Sequence, residues 1–176
     1  MKIVLTGFMG TGKSAVGCRL AERLGLSFID LDEAIEQAAG MTIPEIFASE
    51  GESGFRRRER ELIGSLAAHR DCVIATGGGA VLDPENVRNL KRGAVIVCLW
   101  AEPTIILGRI GADAHRPLLQ APDRLARIGE LLEQRASAYA QADLSVETSD
   151  SDVEEVVDRI VRHFRLETVG TIGTGR

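Results

Sequence analysis

A chain of 176 residues with 44% hydrophobic residues is sized for one domain with a sizeable core, and its formal net charge of −5 argues against a general nucleic-acid or membrane-surface binder. Cys18, Cys72 and Cys98 are odd in number, widely spaced and set in apolar segments, so they read as small core residues in a reducing compartment, not as a disulfide framework. His69, His115 and His163 lack ligand spacing, which leaves a transition-metal site unsupported, and no apolar run is long enough to span a membrane or form a cleaved signal, so a cytoplasmic location is expected.

Ile3, Val4 and Leu5 form a short apolar strand that enters Gly7-Phe8-Met9-Gly10-Thr11-Gly12-Lys13-Ser14, a full match to the phosphate-loop pattern G-x-x-x-x-G-K-[ST]. Ala15 to Leu24 follows as a helix, with Val16, Leu20 and Leu24 on one stripe and Gly25 as C-cap. Strand, loop and helix in that order is the setting the motif requires. Its glycines let backbone N–H groups close around an anion, and the helix presents its positive N-terminal end to the same phosphates. Lys13 is then expected to reach the β- and γ-phosphates of ATP or GTP, and the Ser14 hydroxyl to ligate Mg²⁺.

Leu26 to Asp32 alternates as a second strand, which sends the Asp30 and Asp32 carboxylates to the same side at its carboxyl end. Ligands bind at that end of open α/β sheets, and Mg²⁺ prefers carboxylates, phosphate oxygens and water; Asp32 also suits a helix N-cap. Thr42 and Glu45 frame a capping box with Pro44 in the first turn, so a short helix is expected from about Ile43 to Ser49, interrupted by Gly51 to Gly54. The helix after it carries Phe55, Leu62, Ile63 and Leu66 on one stripe and crowds Arg56, Arg57, Arg58, Glu59 and Arg60 at its start. A basic run is ordinarily a solvated face, yet positive charge at a helix N-terminus opposes the dipole. Arg56 and Glu59 are one turn apart, where the glutamate can orient the guanidinium toward an anion, and spacing alone leaves the functional and the surface readings open.

Cys72 to Thr76 is a third buried strand, followed at once by Gly77, Gly78 and Gly79, which fit either close approach of a ligand to backbone or a flexible strand exit. Asp83 and Pro84 open a helix to about Lys91, and Ala94 to Trp100 is an apolar fourth strand with Trp100 expected in the core or a wall. Pro103 starts another helix. The segment from Gly111 to Pro122 loses periodicity and reads as a mobile lid carrying Arg116, a candidate clamp on transferring phosphates. Asp123 to Ala140 is helical with Arg135 and Tyr139 one turn apart, and Leu144 to Thr148 is a fifth strand. The last helix packs Val153, Val156, Val157, Ile160, Val161 and Phe164 behind a Ser151 and Glu154 capping box, before a frayed tail at 169–176. The elements predict a single three-layer α/β domain over 1–168, with a five-stranded, mainly parallel sheet flanked by helices.

The segments GFMGTGKS, FIDLD, FASEGESGFRRRE, TGGGAV, HRPLL and QRASAY occur in the order seen in the shikimate kinases, and this resemblance covers nearly the whole chain. It implies a P-loop kinase of the nucleoside monophosphate kinase-like fold that transfers the γ-phosphoryl of ATP to the 3-hydroxyl of shikimate, toward chorismate and the aromatic amino acids. It also implies nucleotide contacts along Gly10, Thr11, Gly12, Lys13, Ser14 and Ala15, with Arg109 beside adenine and Arg116 as the lid arginine on the phosphates. Asp32 matches the carboxylate that holds the substrate hydroxyls and is the candidate base, and Asp30 the acid that positions Mg²⁺ through water. Arg56 and Arg135 match the pair on the substrate carboxylate, Glu59 the residue that orients Arg56, and Gly78, between Gly77 and Gly79, a backbone contact to the same ligand. Bidentate guanidiniums suit a planar carboxylate, which gives the arginine run its reason.

The resemblance has one departure: family members often carry an acidic residue and a proline in the adenine loop after the last strand, and 146–152 has no proline. Arg57 and Arg58 receive no role. Two rivals remain, a gluconate kinase of the same fold, which gives no reason for Arg56, Arg135 and Gly78 together, and a nucleotide-dependent module that transfers nothing, which gives none for Lys13, Ser14, Asp30, Asp32 and Arg116 together. A monomer is expected.

Overall fold

The computed structural model describes residues 1–111 and 121–172, with side chains as far as Phe164 in the last helix. The expected lid at about 111–122, with Arg116, therefore lies outside the described residues except for Gly111, Ala121 and Pro122.

Five strands, β1 (Lys2–Thr6), β2 (Ser27–Asp30), β3 (Cys72–Ala75), β4 (Val95–Trp100) and β5 (Leu144–Glu147), form one sheet in the order β2-β3-β1-β4-β5, with every neighbouring pair parallel. The period of two along these strands divides the core between the faces. Ile3, Leu5, Val73, Val97, Leu99 and Val146 pack with helices α1 (Lys13–Leu24) and α7 (Val153–Ile172). Val4, Ile74, Ile96 and Cys98 pack on the other side with α3 (Ile43–Leu66), α4 (Pro84–Leu90), α5 (Pro103–Ile110) and α6 (Arg124–Tyr139). Covered on both faces, β1, β3 and β4 read as nearly unbroken apolar runs. A smaller cluster of Ile35, Ile46 and Phe55 joins α2 (Leu31–Ala39) to α3.

The chain leaves β1 toward one edge of the sheet and returns from β3 to cross to the other, so the strand order reverses beside β1. Crevices at such reversals, outside the carboxyl ends of the strands, are where open α/β sheets bind ligands. The phosphate loop leaves β1 here, Asp30 ends β2 and the three glycines follow β3.

Several local expectations change. Asp30 ends its strand as the N-cap of α2, its carboxylate accepting from the Asp32 backbone N–H at 3.0 Å, so Asp32 stands in the first turn of a helix and not on β2. The Ile43 helix and its successor run as one, Ile43–Leu66, with the expected interruption reduced to Gly51 at φ 70° and ψ −177°. The last helix is boxed by Asp152 and Glu155, not by Ser151 and Glu154, because Glu154 is drawn to Arg19 and Arg23 across the surface. Its backbone also stays helical past Val169, where a tail was expected to begin. Cys72 and Cys98 are core residues as expected, whereas Cys18 is exposed, and Trp100 is 40% exposed at the end of β4.

Candidate active site

The phosphate loop curls because three of its residues take backbone angles that side chains disfavour. Gly7, Gly10 and Gly12 have φ of 130°, 78° and 90°. At Gly7 a Cβ would stand 2.0 Å from the Leu99 carbonyl oxygen, so no larger residue fits. Phe8 is buried beneath the loop, and its carbonyl accepts from both the Thr11 hydroxyl and the Lys13 ammonium, each at 2.8 Å. The Thr11 side chain is thus turned inward, and what it can offer a phosphate is its backbone. Gly12 caps α1 without any side-chain hydrogen bond to the helix's first N–H groups, the arrangement that favours an anion at that end.

Beside the loop the Ser14 hydroxyl donates to Asp30 Oδ2 at 2.6 Å. Two hard oxygens at the mouth of a phosphate loop are the donor chemistry that suits Mg²⁺. Gly10, Gly12, Lys13, Ser14, Ala15, Asp30 and Asp32 all line a cavity of about 630 Å³, and so do Arg56, Glu59, Gly77, Gly78, Gly79 and Arg135. Residues read from five separate segments of sequence therefore meet in one cleft.

The far half of the cleft is built around two guanidiniums. Arg56 donates to Glu59 Oε2 at 2.8 Å and lies over the Phe55 ring, 5.1 Å from its centroid. Arg135, only 6% exposed, lies over the Phe8 ring at 5.4 Å and donates to the Gly78 carbonyl at 3.3 Å. The glycine strip passes between them. A Cβ at Gly79 would come 2.7 Å from Arg56 Nη2, and one at Gly77 would meet Asp32 Oδ1 at 2.9 Å and Glu59 Oε1 at 3.2 Å. Two arginines and two carboxylates crowd the backbone here, which favours the reading of close approach over that of a flexible strand exit.

Glu59 is 1% exposed, and its Oε1 has no hydrogen-bond partner among the described residues. Burial raises its pKa above the ordinary carboxylate value, Arg56 pulls it back, and the charges of Asp32 and Asp83 push it up further. The net shift is upward, so the folded protein holds this proton more tightly than the unfolded chain does. The ionised Glu59 costs stability at neutral pH, and the cost fades as pH falls through the raised value.

Arg109 lies apart from that cavity. It donates to the Thr148 hydroxyl at 3.0 Å, to the Gly10 carbonyl at 3.4 Å and to the Thr148 and Ser149 carbonyls, which ties α5 to the phosphate loop and to the loop after β5. Thr148 is a tether that the sequence reading missed, because nothing in a strand-end threonine announces a partner on a helix and another, the Thr11 carbonyl at 3.2 Å, on the phosphate loop. The remaining arginines of the basic run have structural partners: Arg57 and Arg58 pair with Glu50 across the Gly51 kink, and Arg60 with Asp83 at the cap of α4.

Comparison with known proteins agrees with this geometry. The sequence model of the family described as shikimate kinase matches residues 9–165. A shikimate kinase of Thermodesulfovibrio yellowstonii is 46% identical over 92% of this chain and 94% of its own length, and one of Caldanaerobacter subterraneus subsp. tengcongensis is 44% identical over 92% and 95%. Among solved structures, the shikimate kinase from Acinetobacter baumannii in complex with shikimate superposes with a TM-score of 0.90 at 37% identity, over 94% of this chain and 93% of that one. A phosphate loop, an acid at its mouth and two guanidiniums flanking a glycine strip thus sit on a chain that belongs to the shikimate kinase family.

Proposed function

We infer that this protein transfers the γ-phosphoryl group of ATP to the 3-hydroxyl of shikimate, giving ADP and shikimate 3-phosphate on the route to chorismate and the aromatic amino acids. The observation that carries the reading is the cleft's division into a phosphate half, at Lys13 and Ser14, and a carboxylate half, at Arg56 and Arg135, with Asp32 also in its wall.

In this reading the loop backbone from Gly10 to Ala15 cradles the phosphates, and Lys13 addresses the β- and γ-oxygens. Ser14 would ligate Mg²⁺ and Asp30, which accepts from the Ser14 hydroxyl, would position it. When bound, Mg²⁺ neutralises charge on the phosphate oxygens. Arg56 and Arg135 grip the planar carboxylate of the acceptor, the backbone at Gly77 to Gly79 closes on the same ligand, and Asp32 holds its hydroxyls. The bond from the γ-phosphorus to ADP breaks as the acceptor oxygen bonds to that phosphorus, and Asp32 takes the hydroxyl proton. Arg116 is proposed as the lid clamp and Arg109 as the side of the adenine pocket. A monomer is proposed. No helix among the described residues is long and apolar enough to cross a membrane, in keeping with a cytoplasmic enzyme.

ADP release measured with Mg²⁺ and ATP, comparing shikimate, gluconate and no acceptor, tests the reaction. Turnover dependent on shikimate is the expected result; a preference for gluconate, or hydrolysis indifferent to acceptor, would overturn it.

A pH dependence follows from the buried Glu59. As pH falls through its raised pKa the carboxylate is protonated and the ion pair to Arg56 is lost, so the KM for shikimate should rise on the acid side at a pH above the ordinary carboxylate range. Glu59→Gln should instead show a raised KM for shikimate that stays flat across that interval. Parallel pH profiles of variant and wild type would remove Glu59 from this role.

A further inference from the structure

Helix α6 carries Arg135 and Tyr139 one turn apart, and both end on the same atom. The Tyr139 hydroxyl donates to the Gly78 carbonyl at 2.8 Å, while Arg135 Nη1 reaches it at 3.3 Å. Tyr139 is buried, is the chain's one tyrosine, and has no part in the chemistry described above.

A carbonyl oxygen in a buried strip demands a donor, and leaving it unmet is costly. Two donors are at hand, and the shorter bond comes from the phenol. With the phenol as the closer donor, the guanidinium gives that oxygen only its longer Nη1 bond. Arginine has five N–H donors in a fixed fork, so the more of them the backbone claims, the fewer face a ligand. The same bond fixes the strip itself. The peptide between Gly78 and Gly79 is trans and planar, so holding the Gly78 oxygen aims the Gly79 N–H the opposite way. Gly79 is the residue pressed against Arg56. One hydroxyl on α6 thereby governs the backbone between the two guanidiniums.

We propose that Tyr139 is a positioning residue for the acceptor's carboxylate: its hydroxyl holds the Gly78 carbonyl, which keeps the glycine strip in register and limits the claim of that carbonyl on Arg135 to one longer bond from Nη1, leaving the rest of the fork to the ligand. The proposal rests on shikimate being the acceptor, and it extends that reading to a residue that does not touch the substrate.

Tyr139→Phe keeps the ring and its packing and removes only the donor. Arg135 is then the remaining donor to the Gly78 oxygen and is drawn toward it. The KM for shikimate should rise about fivefold to tenfold, the scale of one lost hydrogen bond, with kcat within about twofold of wild type and the KM for ATP unchanged. In an Arg135→Lys background the same substitution should add little, because its effect runs through the fork. An unchanged KM for shikimate overturns the proposal. So does a rise that is equal for ATP and shikimate and fully additive with Arg135→Lys, since that marks a merely structural hydroxyl. Wild-type protein assayed first separates the two levels: absence of shikimate-dependent turnover overturns the acceptor reading and the proposal together, whereas wild-type turnover with an indifferent Tyr139→Phe overturns the proposal alone.

Discussion

Asp32→Asn should lower kcat by about a thousandfold while leaving ATP affinity near the wild-type value, the range expected when a positioned base is lost. The substitution changes little in shape. Asp32 stands in the first turn of α2, and it is its backbone N–H, not its side chain, that the Asp30 cap holds at 3.0 Å, so the asparagine stays in place. What disappears is the ability to take a proton and a negative charge facing the acceptor. The phosphate half of the cleft, at Lys13 and Ser14, is untouched, which is why nucleotide binding should survive. A second readout comes from Glu59. The Asp32 charge helps to raise the Glu59 pKa, so its removal should move the acid limb in the KM for shikimate to lower pH in whatever activity remains. Steady-state kinetics over a pH series, with ADP binding by calorimetry, checks both; wild-type turnover would refute the role of Asp32.

How much of this site was legible in the sequence depends on whether a constraint was local. The phosphate loop was, since its glycines answer to backbone angles set within a few residues. The three central strands were too, because parallel strands covered on both faces must be apolar along their length, while the edge strands β2 and β5 showed as alternation. Asp32 was assigned to the site but to the wrong element. Alternation ran on through Asp30-Leu31-Asp32, whereas the Asp30 carboxylate captures a backbone N–H and starts a helix there. The cap of α7 slipped by one residue for a tertiary reason. Both Ser151 with Glu154 and Asp152 with Glu155 fit a capping box, and the choice falls to the second pair because Arg19 and Arg23 on α1 occupy Glu154. The three glycines were ambiguous until the side chains crowding them were in view. Tyr139 and Thr148 were silent for the same reason, their partners being backbone carbonyls far away in the chain.

Arg56→Lys should raise the KM for shikimate about thirtyfold with little change in kcat, and leave the KM for ATP alone. Arg56 satisfies three conditions at once: it is paired with buried Glu59 at 2.8 Å, it lies over the Phe55 ring at 5.1 Å, and it presses against the backbone at Gly79. A planar fork can donate to Glu59 from one edge, present another to a carboxylate, and offer its face to the ring. An ammonium offers a point charge instead. Turned to Glu59 it abandons the acceptor, and turned to the acceptor it leaves a buried carboxylate without its counter-charge. Hydrogen bonds between charged groups are worth about 1.5–3 kcal/mol each, so losing the bidentate part of the grip fits a change of that order. Because the glutamate acts through the arginine, Glu59→Gln added to Arg56→Lys should cost far less than the sum of the two alone. The four-protein cycle, read as KM for shikimate, decides it: full additivity would mean that Glu59 and Arg56 serve separate ends, and an unchanged KM in Arg56→Lys would return that arginine to the solvated face that its sequence neighbourhood first suggested.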